Sequence, residues 1–119
     1  MARALAPKRG EIWLVGFDPS VGAEIQKNRP AVVVSMDTIG RLPLRMVVPI
    51  TDWKPHYTGF PWFVELPASS LNGLTKHSGA DAFQTKSVSE ARFIHLLGTL
   101  TDDEMDDISS AIALCVGAP

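Results

Sequence analysis

The chain reads as short apolar runs broken by proline, glycine and polar turns, the spacing of a protein built mainly from β-strands. Glu11 to Val15, with β-formers Ile12, Trp13 and Val15, predicts a first strand. Phe17 to Arg29 predicts a long polar loop, with turn signals at Asp18-Pro19-Ser20 and Gly22. Pro30 to Ser35 carries Ala31, Val32, Val33 and Val34 in unbroken succession, which suits a strand covered on both faces. Leu44 to Thr51 predicts a third strand with Pro49 near a bulge or its end, and Phe60 to Leu66 a fourth. The aromatic and polar stretch Asp52 to Gly59 predicts a mobile loop, Pro67 to Lys76 one helical turn, and Ala80 to Val88 a fifth strand.

The end of the chain changes period. Thr101-Asp102-Asp103-Glu104 has the Ser/Thr-x-x-Glu form of a capping box, and its acids suit the positive end of a helix dipole. Met105, Ile108, Ile112 and Cys115 then recur at helical spacing, and Gly117 supplies a stop. Several short strands followed by one helix predict a small closed β-barrel with the helix packed on it, in one domain spanning 1–119.

Composition excludes several classes. With 45% hydrophobic and 20% charged residues, the 119-residue chain has the balance of a soluble globular domain. No apolar run approaches the roughly 20 residues that span a bilayer. The start of the chain carries Arg3, Lys8 and Arg9 with no apolar region behind them, so no signal peptide is expected. The single Cys115 fits a reducing cytoplasm and reads as a buried, inert thiol. His56, His77 and His95 lack metal-ligand spacing, no Cys/His cluster accompanies them, and neither metal nor cofactor is expected. His95, inside the apolar run Phe93 to Leu97, reads as structural.

The formal net charge of −2 hides an uneven distribution. Five of the 13 acids fall between Thr101 and Asp107, so residues 1–100 hold 8 acids against all 11 Lys and Arg, a formal +3. A mildly basic body is compatible with RNA without arguing for it alone.

Three segments, in order, resemble toxins of the MazF/PemK family. The first is Lys8-Arg9-Gly10-Glu11-Ile12-Trp13 with Phe17-Asp18-Pro19-Ser20-Val21-Gly22-Ala23-Glu24 and Asn28-Arg29-Pro30-Ala31-Val32-Val33-Val34-Ser35. The second is Val48-Pro49-Ile50-Thr51 and the third Gln84-Thr85-Lys86-Ser87-Val88, with the terminal helix as a further likeness. The resemblance implies an SH3-like barrel that dimerises, cuts single-stranded RNA to 2′,3′-cyclic phosphate and 5′-hydroxyl ends without metal, and is held in check by a MazE-like antitoxin.

The chemistry of such a cut sets requirements of its own: a base for the ribose 2′-OH, positive charge for the phosphorane and a proton for the leaving oxygen. Arg29 offers a planar fork for phosphate oxygens, Thr51 a hydroxyl donor, and Glu24 a base; the resemblance gives the corresponding residues these roles. Trp53 and His56 read either as base-stacking rings or as loop packing. Lys27 and Lys86 read either as phosphate contacts or as solvated lysines, and Asn28 and Gln84 complete the RNA-binding set. Phe83 stands where the family often has an acid, and Asp81, two residues earlier, would face the same side of a strand. Two other readings fit the same fold: a non-enzymatic toxin resembling CcdB, which binds DNA gyrase, and an SH3-like peptide-binding module.

Overall fold

The computed structural model describes residues 6–39 and 42–119; the first basic residue, Arg3, lies outside them. Seven strands form one antiparallel system: β1 (Glu11–Gly16), β2 (Asn28–Val33), β3 (Leu44–Asp52), β4 (Phe63–Leu66), β5 (Ser78–Asp81), β6 (Lys86–Ser89) and β7 (Phe93–Thr99). The helix α1 (Asp102–Cys115) follows. Neighbours run β4-β5-β3-β2-β1-β7, and β6 also pairs with β3. The long β3 divides its edge, with Leu44–Val47 against β6 and Ile50–Asp52 against β5.

The valine run of β2 has the predicted double burial. Val32 packs with Ile12, Val48, Ile50, Met105 and Ile108 under α1, whereas Ala31 and Val33 pack with Trp13, Val15, Val47 and Val88 on the other face. Alternate side chains of one strand thus feed two cores. The helix starts with the expected capping box: Glu104 N donates to Thr101 Oγ1 at 3.2 Å, and Thr101 N donates to Glu104 Oε1 at 2.9 Å. Met105, Ile108 and Ala111 bury its inner face, and Gly117, at φ +69°, takes the left-handed turn beyond its end.

The ladder does not close into a barrel: among the described residues no strand pairing joins β4 to β7. The segment before β5 covers the end of β7 instead. Thr99 N donates to Leu71 O at 3.0 Å, and a Cβ added to Gly73, whose φ is +68°, would collide with the carbonyl of Leu97. Only glycine gives that approach.

Three other expectations are corrected. Ala80 to Val88 is two strands, not one, because Ala82–Gln84 turns as a 3-10 helix capped by Asp81, which accepts from Phe83 N at 3.1 Å. The segment 67–76 does hold one helical turn, closed by Gly73 N donating to Ser69 O at 3.1 Å around a buried Asn72. Asp52 to Gly59 contains a 3-10 turn, Pro55–Gly59, pinned by Tyr57, whose ring stacks on Phe63 at 4.0 Å. His95 lies in β7 but is exposed, so core packing does not explain it. Pro49 sits fully buried within β3, where the pairing with β2 stops.

Candidate functional site

The resemblance singled out Arg29 and Thr51, and the strand register explains why they meet. The β2–β3 ladder runs Val33↔Val47, Val32↔Val48 and Ala31↔Pro49, then ends. Continued, it would set Pro30 against Ile50, Arg29 against Thr51 and Asn28 against Asp52. Neither Pro30 nor Pro49 has an N–H to offer, so a full ladder cannot pass this point. Beyond it the start of β2 stays with β1, through Leu14↔Pro30, Val15↔Arg29 and Gly16↔Asn28. The end of β3 stays with β5, through Ile50↔Ala80, Thr51↔Gly79 and Asp52↔Ser78. The two strands splay, and a cleft of about 270 Å³ opens between them.

Asn28, Arg29 and Pro30 line one wall of this cleft and Ile50, Thr51 and Asp52 the other; residues 73–76, Ser78 and Leu97 complete it. Arg29 spans the gap. Its Nη1 donates to Thr51 Oγ1 at 3.4 Å and its Nε to Gln26 O at 3.2 Å, and neither contact uses Nη2. The guanidinium is therefore oriented by the protein, half-buried, at the mouth of the cleft. At the rim, Lys76 Nζ lies 3.5 Å from Asp52 Oδ2.

Asn72 builds the third wall, and the sequence reading passed over it. Its Oδ1 accepts from Ser69 N at 3.0 Å and Leu74 N at 2.9 Å, while its Nδ2 donates to Pro67 O at 2.9 Å. A side chain only 2% exposed thus satisfies three backbone groups and fixes the segment that carries Lys76. Asn72-Gly73 in a polar stretch is the turn signal that the sequence offers here.

Glu24 is not in this cleft. It lines a second one, of about 390 Å³, with Ile25, Phe83, Gln84 and Lys86, and its Oε1 accepts from Val21 N at 2.7 Å within its own loop. Gln84 Oε1 accepts from Ile25 N at 2.6 Å and ties that loop to the turn after β5. Phe83, where the resemblance leads one to look for an acid, is 71% exposed. Asp81 bonds to Phe83 and Gln84, and burial holds its carboxyl above the usual carboxylate range although these hydrogen bonds oppose the shift. Asp81 lines neither cleft.

The aromatic residues after Thr51 are packed against each other. Trp53 stacks on His77 at 5.7 Å and stands edge-on to Tyr57 at 5.6 Å, while His56 meets Tyr57 at 4.7 Å. Trp53 also lies over Gly79, where a Cβ would come within 2.8 Å of its ring. Lys27, at φ +69°, and Asn28 are exposed at the entry to β2. Among the described residues no group of three or more His, Cys, Asp or Glu is arranged to hold a metal ion, and no helix is long and apolar enough to cross a membrane.

A family model described as PemK-like, MazF-like toxin of type II toxin-antitoxin system matches residues 8–116. The chain is 34% identical over 113 residues to a Mycobacterium tuberculosis protein named endoribonuclease MazF9, covering 90% of this chain and 93% of that one. The chain belongs to this PemK/MazF toxin family. Its fold is that of Deinococcus radiodurans MazF, with a TM-score of 0.79 at 23% identity over 95% of this chain and 98% of that one. A mycobacterial endoribonuclease solved in complex with its cognate antitoxin superposes with a TM-score of 0.76 at 20% identity, over 96% and 98% of the two chains.

Proposed function

We propose that the cleft between β2 and β3 is where this chain, a toxin endoribonuclease of the PemK/MazF family, cuts single-stranded RNA. The observation that carries the reading is the Arg29–Thr51 pair held across the cleft at 3.4 Å in a chain of this family. A scissile phosphate placed there meets a fixed cation and a hydroxyl donor, the stabilisers that a phosphorane needs. Attack by the neighbouring 2′-OH on phosphorus, with departure of O5′, leaves a 2′,3′-cyclic phosphate and a 5′-hydroxyl. The reaction needs no metal. Asn28 and Lys27 flank the phosphate, and the strand continues past Trp53 and His56 toward Gln84 and Lys86 in the second cleft. Glu24, in the second cleft, is the catalytic carboxylate that the family resemblance names, on the path of a substrate that spans both clefts.

A homodimer and an antitoxin complete the reading. Ile94 and Leu96 are large apolar side chains left exposed on β7, whose only ladder partner among the described residues is β1, and a second copy would cover them. The antitoxin places an acidic segment over the cleft, in competition with phosphate. The lone cysteine and the absence of a membrane-crossing helix among the described residues suit a cytoplasmic toxin.

The test is incubation of the purified chain with a long single-stranded RNA in EDTA, followed by analysis of the new ends. Cyclic-phosphate and 5′-hydroxyl termini are expected. Intact RNA, with or without added divalent metal, would refute the nuclease reading and return attention to a gyrase-directed or peptide-binding protein.

A further inference from the structure

Among the described residues, one carboxylate lines the cleft that holds Arg29 and Thr51, and it is Asp52. Glu24 lies in the other cleft with its carboxylate bonded inside its own loop. The residue opposite Asp52 is Lys76, Nζ to Oδ2 at 3.5 Å, with the two side chains 57% and 69% exposed. An exposed pair of this kind contributes little to stability, so folding alone gives little reason for it. Its place does give one: a base and an acid, both open to substrate, on the rim of a phosphate cleft.

We propose, building on the nuclease reading above, that Asp52 and Lys76 are the proton-transfer pair of the reaction. The Asp52 carboxylate takes the proton of the 2′-OH as the O2′–P bond forms. The P–O5′ bond breaks, and the departing O5′ takes a proton from the Lys76 ammonium. Asp52 is then protonated and Lys76 neutral. Return of the proton from one to the other restores the starting state, so the cycle balances without a co-reactant. Arg29 and Thr51 hold the phosphate throughout. The structure supports this division of labour because Asn72 holds Leu74 N and Ser78 Oγ donates to Lys76 O at 2.8 Å, which fixes the backbone on either side of the long, exposed Lys76 side chain.

The test uses the intact protein and an oligoribonucleotide carrying a cut site mapped on long RNA. D52N keeps shape and removes the base; kcat is expected to fall about 100-fold, within the range for a lost general base. Binding of the same oligonucleotide with a 2′-deoxy residue at the cut site should be unchanged. K76A is expected to fall similarly, and K76R should not restore it, because an arginine keeps the charge but does not release its proton. A substrate with sulfur in place of the bridging O5′ separates chemistry from structure, since a thiolate leaves without protonation. It should restore K76A at least tenfold and leave D52N slow. Wild-type turnover by D52N beside an inactive E24Q would overturn the proposal, make Glu24 the base and leave the nuclease reading intact. An unrescued K76A would overturn the role of Lys76. A parent chain that cuts no RNA would overturn both readings together.

Discussion

Arg29 and Thr51 face each other across the gap at which the β2–β3 ladder ends, 3.4 Å between Nη1 and Oγ1. The contact is long for a hydrogen bond and exposed on one side, so it adds little to stability. Arg29→Ala is therefore expected to keep the parent melting temperature while losing about 10²–10³-fold in cleavage rate, the scale seen when one transition-state donor is removed. Arg29→Lys should recover only part of this, because an ammonium is not a planar fork. A folded Arg29→Ala protein with parent turnover would remove Arg29 from the reaction.

Thr51 supplies a hydroxyl and also a β-branched side chain at the end of β3. Thr51→Ser retains the oxygen and should keep most activity, whereas Thr51→Ala should lose about tenfold or more. Equally reduced rates for the two variants would mean that the methyl group, not the hydroxyl, is what the cleft uses, and parent rates in both would remove Thr51 from the reaction.

Much of this was legible from residues alone, for identifiable reasons. Val32 to Val34 and the Thr101–Glu104 cap each obey a local rule that packing reinforces, so strand and helix fell where expected. Arg29 and Thr51 were visible as a pair only through the resemblance, because their meeting depends on a register 22 positions apart. The split at Ala82–Gln84 was not legible: the alternation of Ala80 to Val88 fits a strand, but Asp81 turns inward to cap the next turn. Closure of the barrel failed as an expectation because Gly73 lets a loop, not a strand, cover β7. Glu24 and Arg29 look adjacent in sequence, yet the loop between them delivers them to separate clefts.

Asn72 was missed because its role is to satisfy backbone, a property no short motif records. Replacing it with alanine strips partners from Ser69 N and Leu74 N and from Pro67 O in a buried setting. A loss of about 2–4 kcal/mol is expected, from roughly 1–3 kcal/mol for each buried group left unpaired. Denaturant titration measures it. Activity should fall further than stability alone explains at temperatures where the variant is still folded, since the wall bearing Lys76 loosens. Unchanged stability would show that water replaces the amide.

Asp81 and Cys115 give a pH prediction with two independent readouts. Burial raises the Asp81 carboxyl above its ordinary value, in part against hydrogen bonds from Phe83 and Gln84. A group whose folded pKa is raised binds its proton more tightly when folded. Its contribution to stability is full below the unfolded carboxylate pKa and is lost as pH rises through the raised folded value. Asp81→Asn keeps an oxygen for Phe83 N and removes the charge, so its melting temperature should exceed that of the parent at neutral pH. The advantage should shrink as the pH is lowered through the carboxylate range, because the parent is then neutral at this position too. The second readout is Cys115, whose thiol is pushed up first by burial and then by the Asp81 charge. Removing that charge lowers the thiol pKa, increases the thiolate fraction and speeds alkylation by iodoacetamide at mildly alkaline pH. Cys115→Ser, which removes the readout, should leave RNA cleavage close to that of the parent. A stability difference that does not vary with pH, together with unchanged alkylation in Asp81→Asn, would mean that Asp81 is solvated and its charge unfelt by the helix.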